Sequence, residues 1–149
     1  MGGTDMPNER LDVRVLIVED QASFRRAARS VVELTPGFAM VGEAETGEAS
    51  VAAADALGPD LVLMDVHLPG IDGLEASRRI LSAVSSPRPV IFLLSTYDVF
   101  DYPDEPAACG AMAYLMKAEF GSERLAAAWA AANAPAPDSC PTDSSGTRP

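Results

Sequence analysis

Four apolar runs in this chain each end in residues that can do chemistry. "VLIV" runs into Glu19-Asp20, "LVLM" into Asp65, "FLL" into Ser95-Thr96 and "AYLM" into Lys117. An apolar run is built for burial, and a carboxylate at its end is costly to desolvate unless something compensates it. Taken singly, each residue has an ordinary explanation. An acid after a strand begins a turn or caps the next helix, a hydroxyl sits in a turn, and a lysine is a solvated loop cation. Taken together they are three carboxylates, two hydroxyls and one ammonium. Carboxylates packed together repel, and one stays protonated unless a cation intervenes. Lys117 supplies one positive charge. A hard divalent ion bound through oxygen supplies the rest, and Mg²⁺ (or Mn²⁺) suits a site with few carboxylates and several retained waters. A carboxylate, a divalent ion, a hydroxyl and an ammonium in one shallow crevice suit phosphoryl transfer to the carboxylate.

The elements that must bring these residues together are legible as alternating patterns. Strands are expected at "VRVLIV" (13–18), "FAMVG" (38–42), "DLVLM" (60–64), "PVIFLL" (89–94) and "MAYLM" (112–116). Helical spacing marks 23–34, with Phe24, Ala27, Ala28, Val31, Val32 and Leu34 apolar. It also marks 46–57, capped by Thr46, and 74–84, with Leu74, Ile80, Leu81 and Val84 as the buried set. A last helix is expected over 122–133, with Ser122 as N-cap and Leu125, Ala128, Trp129 and Ala132 on one face. Strands without polar alternation fit a parallel sheet covered on both sides. Strand–helix alternation fits right-handed crossovers. The expected fold is an α/β domain with a five-stranded, doubly wound parallel sheet and helices on both faces. Ligands of such sheets bind beyond the carboxyl ends of the strands, where all the residues named above fall. Glu43, after the second strand, lies to the side. The segment "DVFDYPDEPAACG" (98–110) stands where the fourth helix belongs, and Pro103 and Pro106 make that helix short or irregular.

Bulk properties narrow the field. The chain has 149 residues, 48% apolar, enough for one domain with a core. A net charge of −11 argues against direct contact with nucleic acid or anionic membrane. No apolar stretch approaches the roughly 20 residues of a membrane span, and a cytoplasmic location is expected. Cys109 and Cys140 make neither a disulfide framework nor a metal cluster. Polar residues 1–11 are expected to be flexible, 12–133 to form the domain, and 134–149, rich in Pro, Ser and Thr, to be a disordered tail.

"VLIVED" (15–20), "LVLMDVHLPGIDG" (61–73), "FLLSTYD" (92–98) and "GAMAYLMK" (110–117) together resemble the four signature stretches of the receiver domain of two-component response regulators. "LPGIDG" and "STYD" are most like the NarL/FixJ-type branch. The resemblance implies a flavodoxin-like sheet of order 2-1-3-4-5. It implies Asp65 as phosphoacceptor, with Asp20 ligating Mg²⁺ directly, Glu19 acting through the metal's water shell, and the backbone carbonyl of His67 as a further ligand. Lys117 pairs with phosphoryl oxygens, and Ser95 and Tyr114 are the switch residues. Thr96 stands where the family usually has a smaller residue, which tightens access. The side chains of His67 and Tyr97 are placed to influence how long the phosphate lasts. The implied partners are a cognate histidine kinase and either a downstream protein or a second copy, through the fourth helix, fifth strand and last helix. The implied protein is a stand-alone receiver: a phosphoacceptor signalling domain rather than an enzyme.

Other readings keep parts of this pattern. A receiver fold can act as an interaction module without phosphorylation, for which the altered 98–110 segment argues mildly. A haloacid dehalogenase-type phosphatase needs a second acid two residues after its nucleophile, where this chain has His67. A flavodoxin needs a Ser/Thr-rich phosphate loop after its first strand, where this chain has Glu19-Asp20.

Overall fold

The computed structural model of the chain describes residues 12–83, 88–96 and 110–133. The expected tails 1–11 and 134–149, the 98–110 crossover, Val84, Tyr97, Cys109 and Cys140 lie outside the described residues, apart from Gly110. The strands are β1 (Val13–Val18), β2 (Phe38–Ala44), β3 (Leu61–Asp65), β4 (Val90–Ser95) and β5 (Ala113–Met116). The helices are α1 (Ala22–Leu34), α2 (Gly47–Leu57), α3 (Gly73–Ala83) and α4 (Ser122–Ala132). All strands pair in parallel, in the order β2-β1-β3-β4-β5. This is the five-stranded parallel sheet expected from the alternating pattern, in the flavodoxin-like order that the resemblance implies.

Neighbouring residues of each central strand enter opposite cores, which is why these runs are apolar throughout. Leu16, Val18, Val62, Met64, Ile91 and Leu93 pack with Ala54 of α2 and with Ala76 and Ile80 of α3. Val15, Ile17, Leu61, Leu63, Phe92 and Leu94 pack with Ala28 and Val32 of α1 and with Leu125 of α4. Burying each large aliphatic side chain contributes about 1.5–3 kcal/mol, so the sheet's middle is the rigid part.

Several boundaries move by a residue or two, and the moves have causes. β2 runs on to Ala44 because its carbonyl accepts the Glu19 N–H at 3.0 Å. β3 and β4 each end one residue later than their apolar runs, so Asp65 and Ser95 are strand residues; the Val66 N–H reaches the Leu94 carbonyl at 3.0 Å. β5 starts at Ala113 rather than Met112. Ser122 does not cap the last helix: Gly121 is the N-cap and Ser122 the first helical residue. On α1, the apolar Ala27 and Leu34 are exposed. They fall to one side of the stripe formed by Phe24, Ala28, Val31 and Val32. Thr46 does cap α2, its Oγ1 accepting the Ala49 N–H at 3.0 Å.

The loop from β3 to α3 depends on two glycines for different reasons. Gly70 has φ +77°, a conformation that L side chains rarely adopt. Gly73 is needed for close approach: a β-carbon there would collide with the Asp65 carbonyl oxygen and stand 2.9 Å from the Val66 Cα. The Asp72 carboxylate caps α3 on the Glu75 N–H at 2.8 Å. Gly73→Ala, which would stabilise an open helix, should instead overpack this loop. We expect a loss of about 1–3 kcal/mol, read as a Tm lower by roughly 5–15 °C in thermal denaturation; an unchanged or raised Tm would contradict it.

Candidate functional site

β1 and β3 are neighbours with Val18 beside Met64, so Glu19 and Asp65, each one residue further on, emerge side by side. Glu19, Asp20 and Asp65 each offer a carboxylate oxygen within 4.8 Å of the others. Glu19 and Asp65 are buried, at 0% and 2% exposure, while Asp20 is open to solvent. Lys117 leaves β5 and reaches back past β4. Its Nζ lies 2.8 Å from Glu19 Oε1 and 3.5 Å from Asp65 Oδ1. The same ammonium sits 4.8 Å from the centre of the Phe24 ring, and Phe24 leans on Phe120 at 6.3 Å. The His67 N–H donates to Asp65 Oδ1 at 3.1 Å, and the Gln21 N–H donates to Glu19 Oε2 at 3.1 Å.

A cleft of about 190 Å³ opens over these groups, lined by Asp20, Gln21, Asp65, His67, Thr96 and Lys117. Glu19 and Ser95 lie fully buried behind this lining rather than in it. Thr96 and His67 are exposed at the rim, and Tyr114 is half-buried against the core that contains Ile91 and Leu93. A wider depression of about 520 Å³ runs along the start of α4, where Arg124 and Glu119 pair with each other at 3.2 Å. Its acids, Glu119 and Glu123, lie on the surface and Glu119 is paired with Arg124, whereas the smaller cleft brings three carboxylates and an ammonium together, so the smaller cleft is the chemical one.

Burial pushes the Asp65 carboxyl up to about 7; the Glu19 charge adds to the shift, and Lys117 and the His67 N–H oppose it. Three carboxylates against one ammonium leave the cleft short of positive charge. Glu19 Oε1 is buried with no hydrogen bond of acceptable geometry, although the ammonium stands at ion-pair distance. A fully buried carboxylate whose ammonium is shared with Asp65, amid an all-oxygen donor set, fits a hard divalent cation. The acidic pocket is thus compatible with Mg²⁺.

Sequence reasoning overlooked Arg25. Its Nη1–H donates to the Glu19 carbonyl at 2.8 Å, and its guanidinium faces Glu43 at 3.3 Å and Glu45 at 3.5 Å. A signal was present: Arg25 and Arg29 are one helical turn apart, and the acids at 43 and 45 close the neighbouring strand. Glu43 does lie to the side of the cleft, held by Arg29 at 2.7 Å.

Comparison with known proteins decides the family. The sequence model of the response regulator receiver domain matches residues 15–130. The chain belongs to this receiver family. The transcriptional regulatory protein YdfI of Bacillus subtilis is 37% identical over 112 residues, which are 75% of this chain and 51% of YdfI. A protein-glutamate methylesterase/protein-glutamine glutaminase of Myxococcus xanthus is 41% identical over 114 residues, 75% of this chain and 31% of that protein. The chain thus spans about half or less of these curated relatives. A LuxR-family two-component response regulator from Aurantimonas superposes with TM-score 0.73 at 27% identity, over 81% of this chain and 85% of that one. The response regulator domain of Thermotoga maritima CheB gives TM-score 0.70 at 27% identity, over 83% and 98%. Receivers work in phosphorylation-based two-component signalling, and membership sets aside the dehalogenase-type and flavodoxin readings. Among the described residues no helix is long and apolar enough to cross a membrane.

The raised Asp65 carboxyl has a consequence for stability. Unfolded aspartic acid releases its proton near pH 4, whereas folded Asp65 holds it until about 7. Between these values the folded state binds more protons, so stability of the metal-free chain falls as pH rises through the window and levels off above it. In EDTA, Tm should drop between about pH 5 and about pH 8, and Asp65→Asn should remove much of the drop. Mg²⁺ should raise Tm more at the upper pH than at the lower. A Mg²⁺ effect equal at both would speak against a carboxylate site formed by deprotonation.

Proposed function

We propose that Asp65 is the phosphoacceptor of this receiver and that a cytoplasmic histidine kinase supplies the phosphoryl group. The observation that carries the reading is the convergence of one ammonium, Lys117, on two buried carboxylates, Glu19 and Asp65. An Asp65 oxygen forms its bond to phosphorus as the phosphorus–nitrogen bond of a phosphohistidine breaks, and the departing imidazole keeps the electron pair. Glu19, Asp20, Asp65 and the His67 backbone carbonyl would hold Mg²⁺ (or Mn²⁺). Bound there, the ion would neutralise negative charge on the phosphoryl oxygens.

Phosphorylation adds a charge of about −1.5 to −2 beside Lys117. Lys117 turns from Glu19 toward the new oxygens, and the Ser95 hydroxyl donates to one of them. Ser95 stands beside Met116 and Leu93 beside Tyr114 in the sheet register, so a shift at Ser95 reaches the Tyr114 strand directly. Tyr114 then repacks at the surface of β4 and β5, where a downstream protein or a second copy binds the altered face. His67 and Thr96 at the rim, with Tyr97, govern the approach of water and hence phosphate lifetime.

The test is incubation with acetyl phosphate or phosphoramidate and Mg²⁺, followed by intact mass and size-exclusion chromatography. Wild type should gain the mass of one phosphoryl group, lost with EDTA, and Asp65→Asn should gain none. Equal labelling of Asp65→Asn would move the acceptor elsewhere. No labelling of wild type would favour an interaction module that works without phosphate.

A further inference from the structure

We propose that Arg25 is a positioning residue that fixes the peptide between Glu19 and Asp20, and thereby sets the affinity of the acidic cleft for a divalent cation. The inference rests on the reading of these acids as metal ligands given above. Arg25 projects from the first turn of α1 with its side chain only 16% exposed. Each nitrogen of its guanidinium has a different partner. Nη1 donates to the Glu19 carbonyl at 2.8 Å, Nε faces Glu43 Oε1 at 3.3 Å, and Nη2 faces Glu45 Oε2 at 3.5 Å.

Those partners define one junction. The Glu19 N–H is bonded to the carbonyl of Ala44, the residue between Glu43 and Glu45. Glu19 is therefore tied to the end of β2 twice, through its own N–H and, via Arg25, through its carbonyl. Arg29 holds the other oxygen of Glu43 at 2.7 Å and Glu33 at 3.1 Å, which braces the anchor from behind. The Glu19 carbonyl belongs to the peptide that carries Asp20. Rotation of this peptide would redirect the exposed Asp20 carboxylate and release Gln21, whose N–H fixes Glu19 Oε2 at 3.1 Å. The guanidinium meets its three partners from three separate nitrogens in one rigid plane, a spread that the single compact ammonium of a lysine does not reproduce. Outer groups that orient metal ligands are commonly worth about 10–100-fold in metal affinity.

Charge alone predicts the opposite sign, which makes the idea testable. Arg25 is a cation near a cation site, so removing its charge without any loss of geometry should tighten Mg²⁺ binding. Loss of positioning should weaken it. The Mg²⁺ dissociation constant of the full chain would be measured by calorimetry for wild type, Arg25→Met, Arg25→Lys and Asp20→Asn, with near-UV circular dichroism to verify packing. Both Arg25 variants should bind Mg²⁺ about tenfold more weakly, including Arg25→Lys, which keeps the charge. Unchanged affinity in Arg25→Lys, or tighter binding in Arg25→Met, would overturn the proposal. Should Arg25→Met fail to fold, Arg25→Lys decides alone. If Asp20→Asn binds as wild type does, the ligand reading fails, and this inference fails with it; if only Asp20→Asn loses Mg²⁺, the ligand reading stands and Arg25 has no positioning role.

Discussion

Two carboxylates buried at adjacent strand ends, with one ammonium between them, set the terms for the rest of this domain. At an effective dielectric near 20, unit charges about 4 Å apart interact by about 4 kcal/mol. Lys117 cannot satisfy Glu19 and Asp65 together, and it sits closer to Glu19, at 2.8 Å against 3.5 Å. Burial, reinforced by the Glu19 charge and only partly opposed by Lys117, makes Asp65 hold its proton up to about 7. The cleft is therefore suited to a hard cation: an ion held there would add positive charge beside Glu19, permit Asp65 to ionise, and weaken the hold of Glu19 on Lys117. In the proposed mechanism these three effects are also the three requirements for accepting a phosphoryl group.

Such an arrangement persists only where backbone cannot relax to relieve it. Glu19 follows β1 and Asp65 ends β3, and the residues leading to them, 15–18 and 61–64, are fully buried. Behind Asp65 the chain is pressed against Gly73 with no room for a β-carbon. Behind Glu19 it is tied to Ala44 and gripped by Arg25. The buried Ser77 hydroxyl returns to the Gly73 carbonyl at 2.7 Å, so the start of α3 is closed as well. Repulsion between the acids is offset by packing and backbone hydrogen bonds that lie outside the cleft.

How much of this was legible in the sequence follows from the range of each interaction. Strand identity is a local property: "LVLM" and "FLL" must be buried on both sides whatever surrounds them, and topology then collects Asp65, Glu19 and Lys117 at the carboxyl ends of the strands. Strand ends were less legible because they depend on partners. Ser95 joins β4 through its pairing beside Met116, and Ala44 extends β2 through the Glu19 N–H. Helix faces were legible where the stripe was narrow, as with Leu125 and Trp129, and less sharply defined where exposed apolar residues flank it, as with Ala27 and Leu34. The need for space at Gly73 arises from a chain segment eight residues away, which no local pattern reveals. Arg25 was missed because its partners come from two separate segments, the ends of β1 and β2, and no local pattern joins them.

Lys117 shows how a group can be held firmly and still be free to change partners. An ammonium fixed by carboxylates alone would be released or lost when their charge changed. Here its third neighbour is the Phe24 ring, 4.8 Å away and backed by Phe120. A cation over an aromatic face gains about 0.5–2 kcal/mol, depending on desolvation. That attraction does not depend on protonation at Asp65, on metal at Glu19, or on a phosphoryl group. Because Phe24 and Arg25 are consecutive on α1, this one turn of helix touches both signs of charge: the ring lies under the cation and the guanidinium under the acids' backbone. α1 thus supplies a fixed frame within which the compensation of Asp65 can change while the geometry of the cleft stays the same.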